Sequence, residues 1–126
     1  IVALCLPGYE GTYHMLNEER IAMLKENAVV LNVGRGMTVD TEALTKALRE
    51  GRIAGACLDV TDPEPLPSDH PLWDMDNVIL TPHVSGRFSL PETLEKILNI
   101  CIENLECYLV KRPLRNVIDR KTGYRM

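Results

Sequence analysis

The sequence has no basic excess: 14 Lys+Arg stand against 18 Asp+Glu, a formal net charge of −4. Nucleic acid and anionic membrane surfaces are held by a cationic face, so neither is expected as a partner. No apolar run reaches the ~18 residues of a membrane-spanning helix, and no secretory leader is recognisable. Cysteine is scarce, and Cys5, Cys57, Cys101 and Cys107 form no C-x-x-C pair. Cys5 and Cys57 lie inside apolar runs, so the reading is buried, reduced thiols in a cytoplasmic protein. The three histidines (His14, His70 and His83) are scattered, and no two have the helical spacing of metal ligands. No metal is therefore expected. Internal repeats and low-complexity tracts are absent as well.

What is present fits one globular unit. The chain has 126 residues, 45% of them hydrophobic and 25% charged. Such a chain can build a core without disulfides or metal. It opens at Ile1, inside an apolar strand pattern and without an initiator Met, which reads as a fragment.

Strand and helix signals alternate. Ile1–Leu6 is apolar and stops at Pro7-Gly8. Asn17 precedes Glu18-Glu19, an N-cap with acids in the first turn, and Ile21, Leu24 and Ala28 supply a short stripe. Ala28–Val33 reads as a second strand, ended by Gly34-Arg35-Gly36. Asp40 or Thr41 caps the next helix, Ala43, Leu44, Ala47 and Leu48 fall at helical spacing, and Gly51 is placed to end it. Ile53–Leu58 is a third strand, closed by Asp59. A loop with Pro63, Pro65, Pro67 and Pro71 leads to a short strand at Val78–Leu80, then Thr81-Pro82-His83. Ser89-x-x-Glu92 reads as a capping box with Pro91 in the first turn. Its helix carries a long apolar stripe from Leu94 to Tyr108, and the tail (Pro113–Met126) is polar and mixed. Apolar strands with helical crossovers imply a parallel α/β sheet covered on both faces.

Ligands of such sheets bind beyond the carboxyl ends of the strands. Leu6-Pro7, Gly34-Arg35-Gly36, Asp59 with Glu64, and His83 with Ser85-Gly86 follow the four strands in turn. Arginine is a two-pronged donor that fits a carboxylate. Histidine exchanges protons near neutral pH, and a carboxylate beside it favours the imidazolium and fixes the ring. The glycines would let the backbone approach a flat ligand. A carboxylate clamp, an acid/base and its orienter together suit the interconversion of a 2-oxo acid and a 2-hydroxy acid.

Four stretches carry a family resemblance. They are Asn32-Val33-Gly34-Arg35-Gly36, the run Ala54–Val60 continuing to Glu64-Pro65-Leu66-Pro67, then Pro71-Leu72-Trp73, and Asn77–His83. Together they resemble the D-isomer-specific 2-hydroxyacid dehydrogenases over nearly the whole chain, through Asn104-Leu105 to Leu114–Asp119. The resemblance implies the C-terminal half of a Rossmann-like, doubly wound parallel sheet plus a long crossover helix. Residues 1–90 would be the second half of the nucleotide-binding domain. Residues 91–126 would be the crossover helix and a tail returning toward a substrate domain, leaving the helix's stripe partly exposed here.

The resemblance also implies roles. Arg35 would hold the substrate's carboxylate and carbonyl, His83 would be the general acid/base, and Glu64 its partner. Asp59 would bind the nicotinamide carboxamide. Leu6, Pro7, Val33, Gly34, Arg35, His83, Ser85 and Gly86 would line the nicotinamide half of the dinucleotide. Hydride would pass between the cofactor, NAD or NADP, and a small 2-oxo or D-2-hydroxy acid, in an intact protein expected to be a cytoplasmic homodimer. The alternative is a corepressor-like protein of the same fold that senses dinucleotide. Two features depart from the family pattern. No G-x-G-x-x-G turn occurs, so the fragment alone is expected to be inactive. Pro7-Gly8-Tyr9-Glu10-Gly11-Thr12 also replaces a Pro-Leu-Thr-Pro-x-Thr loop.

Overall fold

The computed structural model describes residues 1–86, 90–121 and 123–125. It divides into two compact units, residues 1–85 and 86–126. The first is built on four strands, β1 (Val2–Leu4), β2 (Val29–Asn32), β3 (Gly55–Leu58) and β4 (Val78–Leu80). They form one sheet in the order β1-β2-β3-β4, every neighbouring pair parallel. The connections carry helices α1 (Glu18–Ala22) and α2 (Thr41–Arg49) and a 3₁₀ turn at Pro71–Asp74. This is the α/β parallel sheet expected from the alternation of strand and helix signals, with shorter strands.

Local chemistry sets the helix ends. The Asn17 side chain accepts from the Arg20 N–H at 3.0 Å, and Asp40, not Thr41, caps α2 by accepting from the Ala43 N–H at 3.0 Å. Such caps are each worth ~1 kcal/mol. Helix α2 stops where Gly51 takes φ 65°. There the Gly51 N–H donates to Leu48 O at 3.2 Å and the Arg52 N–H to Ala47 O at 2.9 Å. That pair of bonds is the Schellman ending, which glycine enters without a Cβ penalty.

The core lies on the helix side of the sheet. Leu4, Val30, Ala56 and Leu58 from the strands pack with Ile21, Leu44, Ala47 and Leu48 from the helices. Leu44, Ile53 and Leu72 are almost fully buried, and each such side chain contributes about 1.5–3 kcal/mol of apolar burial. The opposite pleat carries Ala3, Leu31, Cys57 and Ile79, side by side in register. Ala3 and Ile79 are exposed and Leu31 and Cys57 half-buried, so residues 1–85 cover one face of the sheet. The strands are apolar on both pleats, as a two-sided sheet requires.

That geometry corrects the expectation of buried thiols. Cys5 and Cys101 are exposed, Cys57 and Cys107 are half-buried, and all four are free. Cys57 points to the pleat that the helices leave open, and Cys5 lies just past the end of β1. Among the described residues, no helix is long and apolar enough to cross a membrane, and no cluster of His, Cys, Asp or Glu could hold a metal ion.

The second unit is helix α3 (Pro91–Leu109) with its tail. Pro91 occupies the first turn, and Leu90, at the N-cap, makes no side-chain cap bond. The Ser89 of the expected capping box lies outside the described residues. The apolar stripe is present, and no residue of the helix is buried. The Asn104 amide holds the tail by donating to Arg115 O at 2.9 Å and accepting from the Arg115 N–H at 2.7 Å.

Candidate active site

The exit of β2 is wedged between the exits of its two neighbours. A Cβ on Gly34 would lie 2.7 Å from Leu6 O, beyond β1, and one on Gly36 would overlap the carbonyl of Thr61, beyond β3. Only glycine fits at either point. The protein's own backbone fills the space beside these two glycines, which by itself accounts for glycine at both positions. Arg35 stands between them, exposed, with its Nη1 donating to Gly34 O at 2.8 Å.

The turn that carries Arg35 is pinned from inside. Asn32, fully buried at the end of β2, donates through Nδ2 to Arg35 O at 3.0 Å and accepts the Gly34 N–H at 3.1 Å. The buried Thr38 hydroxyl donates to Arg35 O at 2.7 Å. Neither residue stood out as a site residue in the sequence. The signal was one amide ending an otherwise apolar strand, since a buried amide must find partners.

The exit of β3 organises the exit of β4. Asp59 is 5% exposed, and its Oδ1 accepts from the Thr81 hydroxyl and from the Val84 N–H at 2.9 Å. Its Oδ2 accepts from the Ser85 N–H at 2.8 Å. Burial pushes the Asp59 carboxyl up, but the bonds from Thr81, Ser85 and Val84 outweigh it and hold the group well below the usual carboxylate range. The Asp59 carbonyl accepts the His83 N–H at 2.9 Å. One residue thus fixes the path of 81–85.

His83 has φ 53°, in the left-handed region. A non-glycine residue there costs about 1–3 kcal/mol, and the surrounding bonds must impose it. The imidazole Nδ1 lies 2.7 Å from Glu64 Oε1, with both side chains partly exposed, at 47% and 41%. A carboxylate only accepts, so Nδ1 carries the hydrogen and Nε2 is the nitrogen turned to other chemistry. Glu64 follows the cis Asp62–Pro63 bond and precedes its own cis bond to Pro65.

Two cavities open beyond the strand ends. One, of about 410 Å³, holds Glu64 and His83 in its wall, with Trp73 and Leu66 beside them. The other, of about 260 Å³, lies at the open pleat between Leu31, Val33, Cys57 and Ile79, with Asp59 and Ser85 at its rim. Of the residues expected from sequence, the structure joins Glu64 to His83 and ties Asp59 to Ser85. Arg35 leaves the neighbouring strand at the same edge of the sheet. Among the described residues no hydrogen bond or ion pair links it to Glu64 or His83. Leu6 packs against the core, Gly34 is buried, and Pro7 lines neither cavity. Gly86 is exposed and belongs to the second unit.

The imidazole–carboxylate pair and the arginine thus stand at the C-terminal edge of a parallel α/β sheet, where such sheets bind their ligands. Residues 1–85 match the family model described as D-isomer specific 2-hydroxyacid dehydrogenase, NAD binding domain. The chain is 47% identical over 105 residues to a glyoxylate reductase of Thermofilum pendens, covering 83% of this chain and 30% of that protein. Its structure matches a D-isomer specific 2-hydroxyacid dehydrogenase of Xanthobacter autotrophicus Py2, solved with NADPH and MES. There the TM-score is 0.84 at 41% identity, over 98% of this chain and 49% of that one. An NADPH-dependent glyoxylate/hydroxypyruvate reductase of Sinorhizobium meliloti, solved with NADP and sulfate, gives 0.82 at 28% identity, over 97% and 39%. The chain belongs to the D-isomer specific 2-hydroxyacid dehydrogenase family. It spans less than half the length of these relatives.

Proposed function

We propose that the intact protein reduces a 2-oxo acid to the D-2-hydroxy acid, and runs the reverse oxidation, with NAD or NADP. The observation that carries this is the 2.7 Å contact between His83 Nδ1 and Glu64 Oε1 at the mouth of a cavity. It fixes the ring and leaves Nε2 to exchange a proton with the substrate's C2 oxygen. In reduction, His83 gives that oxygen its proton as C2 gains a hydride. In oxidation, the same nitrogen takes the proton back. Arg35, fixed at its backbone by Asn32 and Thr38, would hold the substrate carboxylate and polarise the carbonyl.

The chain's residues fit the nicotinamide half of the cofactor. The smaller cavity is apolar and lies at the strand ends, as a flat ring requires, and Asp59 Oδ2 at its rim is an acceptor for a carboxamide. Val33 and Ser85 would stand against the ring. The bound cofactor supplies or accepts the hydride. A seat for its pyrophosphate would come from elsewhere in the intact protein, because no glycine-rich turn opens a helix among the described residues.

The reading extends to the remaining architecture. Residues 91–126 would cross toward a substrate domain, and the exposed stripe of α3 suits a homodimer or that domain. Four free thiols suit the reducing cytoplasm. Oxidation of NADH and NADPH followed at 340 nm, with glyoxylate, hydroxypyruvate, pyruvate and branched 2-oxo acids, tests the activity. Turnover with at least one acid, lost about 10²–10⁴-fold in His83→Asn, is the expected result. A folded protein silent toward every pair of acid and cofactor overturns it.

A further inference from the structure

The larger cavity has a chemistry that the acid/base pair does not use. Its volume of about 410 Å³ falls within the ~300–1,000 Å³ of small-molecule sites and far exceeds what the smallest 2-oxo acid, glyoxylate, fills. Beyond Glu64 and His83, most of its lining is apolar: Pro65, Leu66, Trp73, Leu80 and Pro82. Among the described residues no lysine or arginine lines it, and both of its charged residues besides the histidine, Asp59 and Glu64, are acids. Among these residues a substrate carboxylate finds no partner and meets two like charges. The opposite end of the substrate can enter.

Trp73 is built to be a wall of this space. Leu72 beside it is 1% exposed and anchors the 3₁₀ turn in the core. His70 caps that turn, its Nδ1 accepting from the Leu72 N–H at 3.3 Å. The indole is itself tied, with Nε1 donating to Pro67 O at 2.8 Å. Yet Trp73 is 53% exposed, a large flat apolar face held rigid and left without cover. Rigid aromatic surface beside a catalytic group offers contact area at little entropic cost to the protein.

We propose that this cavity is the subsite for the substrate's side chain and that Trp73 determines its specificity, favouring an apolar chain of several carbons and excluding a second carboxylate. The proposal rests on the 2-oxo acid reading above, and its test separates the two. In the intact protein, kcat/KM is measured for glyoxylate, 4-methyl-2-oxopentanoate and 2-oxoglutarate in the wild type, Trp73→Ala and Trp73→Phe. The ratio of 4-methyl-2-oxopentanoate to glyoxylate is expected to fall about tenfold or more in Trp73→Ala and only a few fold in Trp73→Phe. The wild type should prefer 4-methyl-2-oxopentanoate to 2-oxoglutarate at least tenfold. Ratios unchanged in both variants, or equal use of the dicarboxylate, overturn the proposal.

A second readout needs no turnover. Trp73 is the only tryptophan of this chain, and the difference between wild-type and Trp73→Phe emission isolates it. Titration with unreactive 4-methylpentanoate should change that difference emission saturably, and glutarate should not. No change with 4-methylpentanoate overturns the subsite even if reduction is observed. A saturable change in a protein that reduces no 2-oxo acid overturns the activity and leaves the subsite standing.

Discussion

Gly36 lies so close to Thr61 that a single methyl group on its α-carbon would overlap the Thr61 carbonyl. The approach is backbone against backbone, so no side chain can turn aside to make room. It locks the turn bearing Arg35 to the loop that leads to Glu64. Gly36→Ala should cost about 3 kcal/mol or more, at the upper end of overpacking changes, measured by chemical denaturation. Activity should fall beyond what the stability loss explains, because the methyl must push apart the arginine turn and the carboxylate loop.

Asn32→Ala tests the support beneath Arg35. It leaves the Gly34 N–H without its acceptor and removes one donor from Arg35 O, while Thr38 keeps another. A loss of about 1–3 kcal/mol is expected. In kinetics KM for the 2-oxo acid should rise more than kcat falls, since the change loosens the carboxylate clamp and leaves His83 alone. An unchanged KM would separate Asn32 from substrate binding.

Asp59 makes the fold acid-sensitive in a defined window. Its folded carboxyl is held below the ordinary value of 3.8. The unfolded chain therefore binds the proton first, and the stabilisation is fully present above about pH 4 to 5 and is lost as pH falls below it. Asp59→Asn should be less stable than the wild type at pH 7 and lose less stability on acidification. The two denaturation midpoints should converge toward pH 3.

His83 combines a left-handed backbone with a role for its side chain. His83→Gly should be more stable than His83→Ala by about 1 kcal/mol, because glycine alone is at ease at φ 53°. Both should be inactive to the same degree. Equal thermal midpoints would show that the turn relaxes once the imidazole is gone.

Much of this was legible in the sequence because local rules and fold agree there. Asn17, Asp40 and Gly51 mark helix ends through bonds that involve only their own neighbours. The strand order put Glu64 and His83 at one edge of the sheet, but their pairing came from the family resemblance, since the eighteen positions between them carry no spacing rule. What could not be read depends on which pleat is covered. Cys5 and Cys57 sit in apolar runs that look like core, yet one lies past the end of its strand and the other on the open pleat. The glycines around Arg35 signalled a close approach, and the exits of the neighbouring strands make one. Asn32 showed only as an amide in an apolar strand, and its role became visible once its partners Gly34 and Arg35 were placed.

The order of strands across the sheet is also their order along the chain. Each pairing therefore closes a loop of similar, modest length, and no strand has to be inserted between two that are already joined. Closure entropy grows slowly with loop length, so the three pairings cost about the same. These four strands can pair one after another in the direction of synthesis, so the contact between Glu64 and His83 would form only after the first three strand exits are in place.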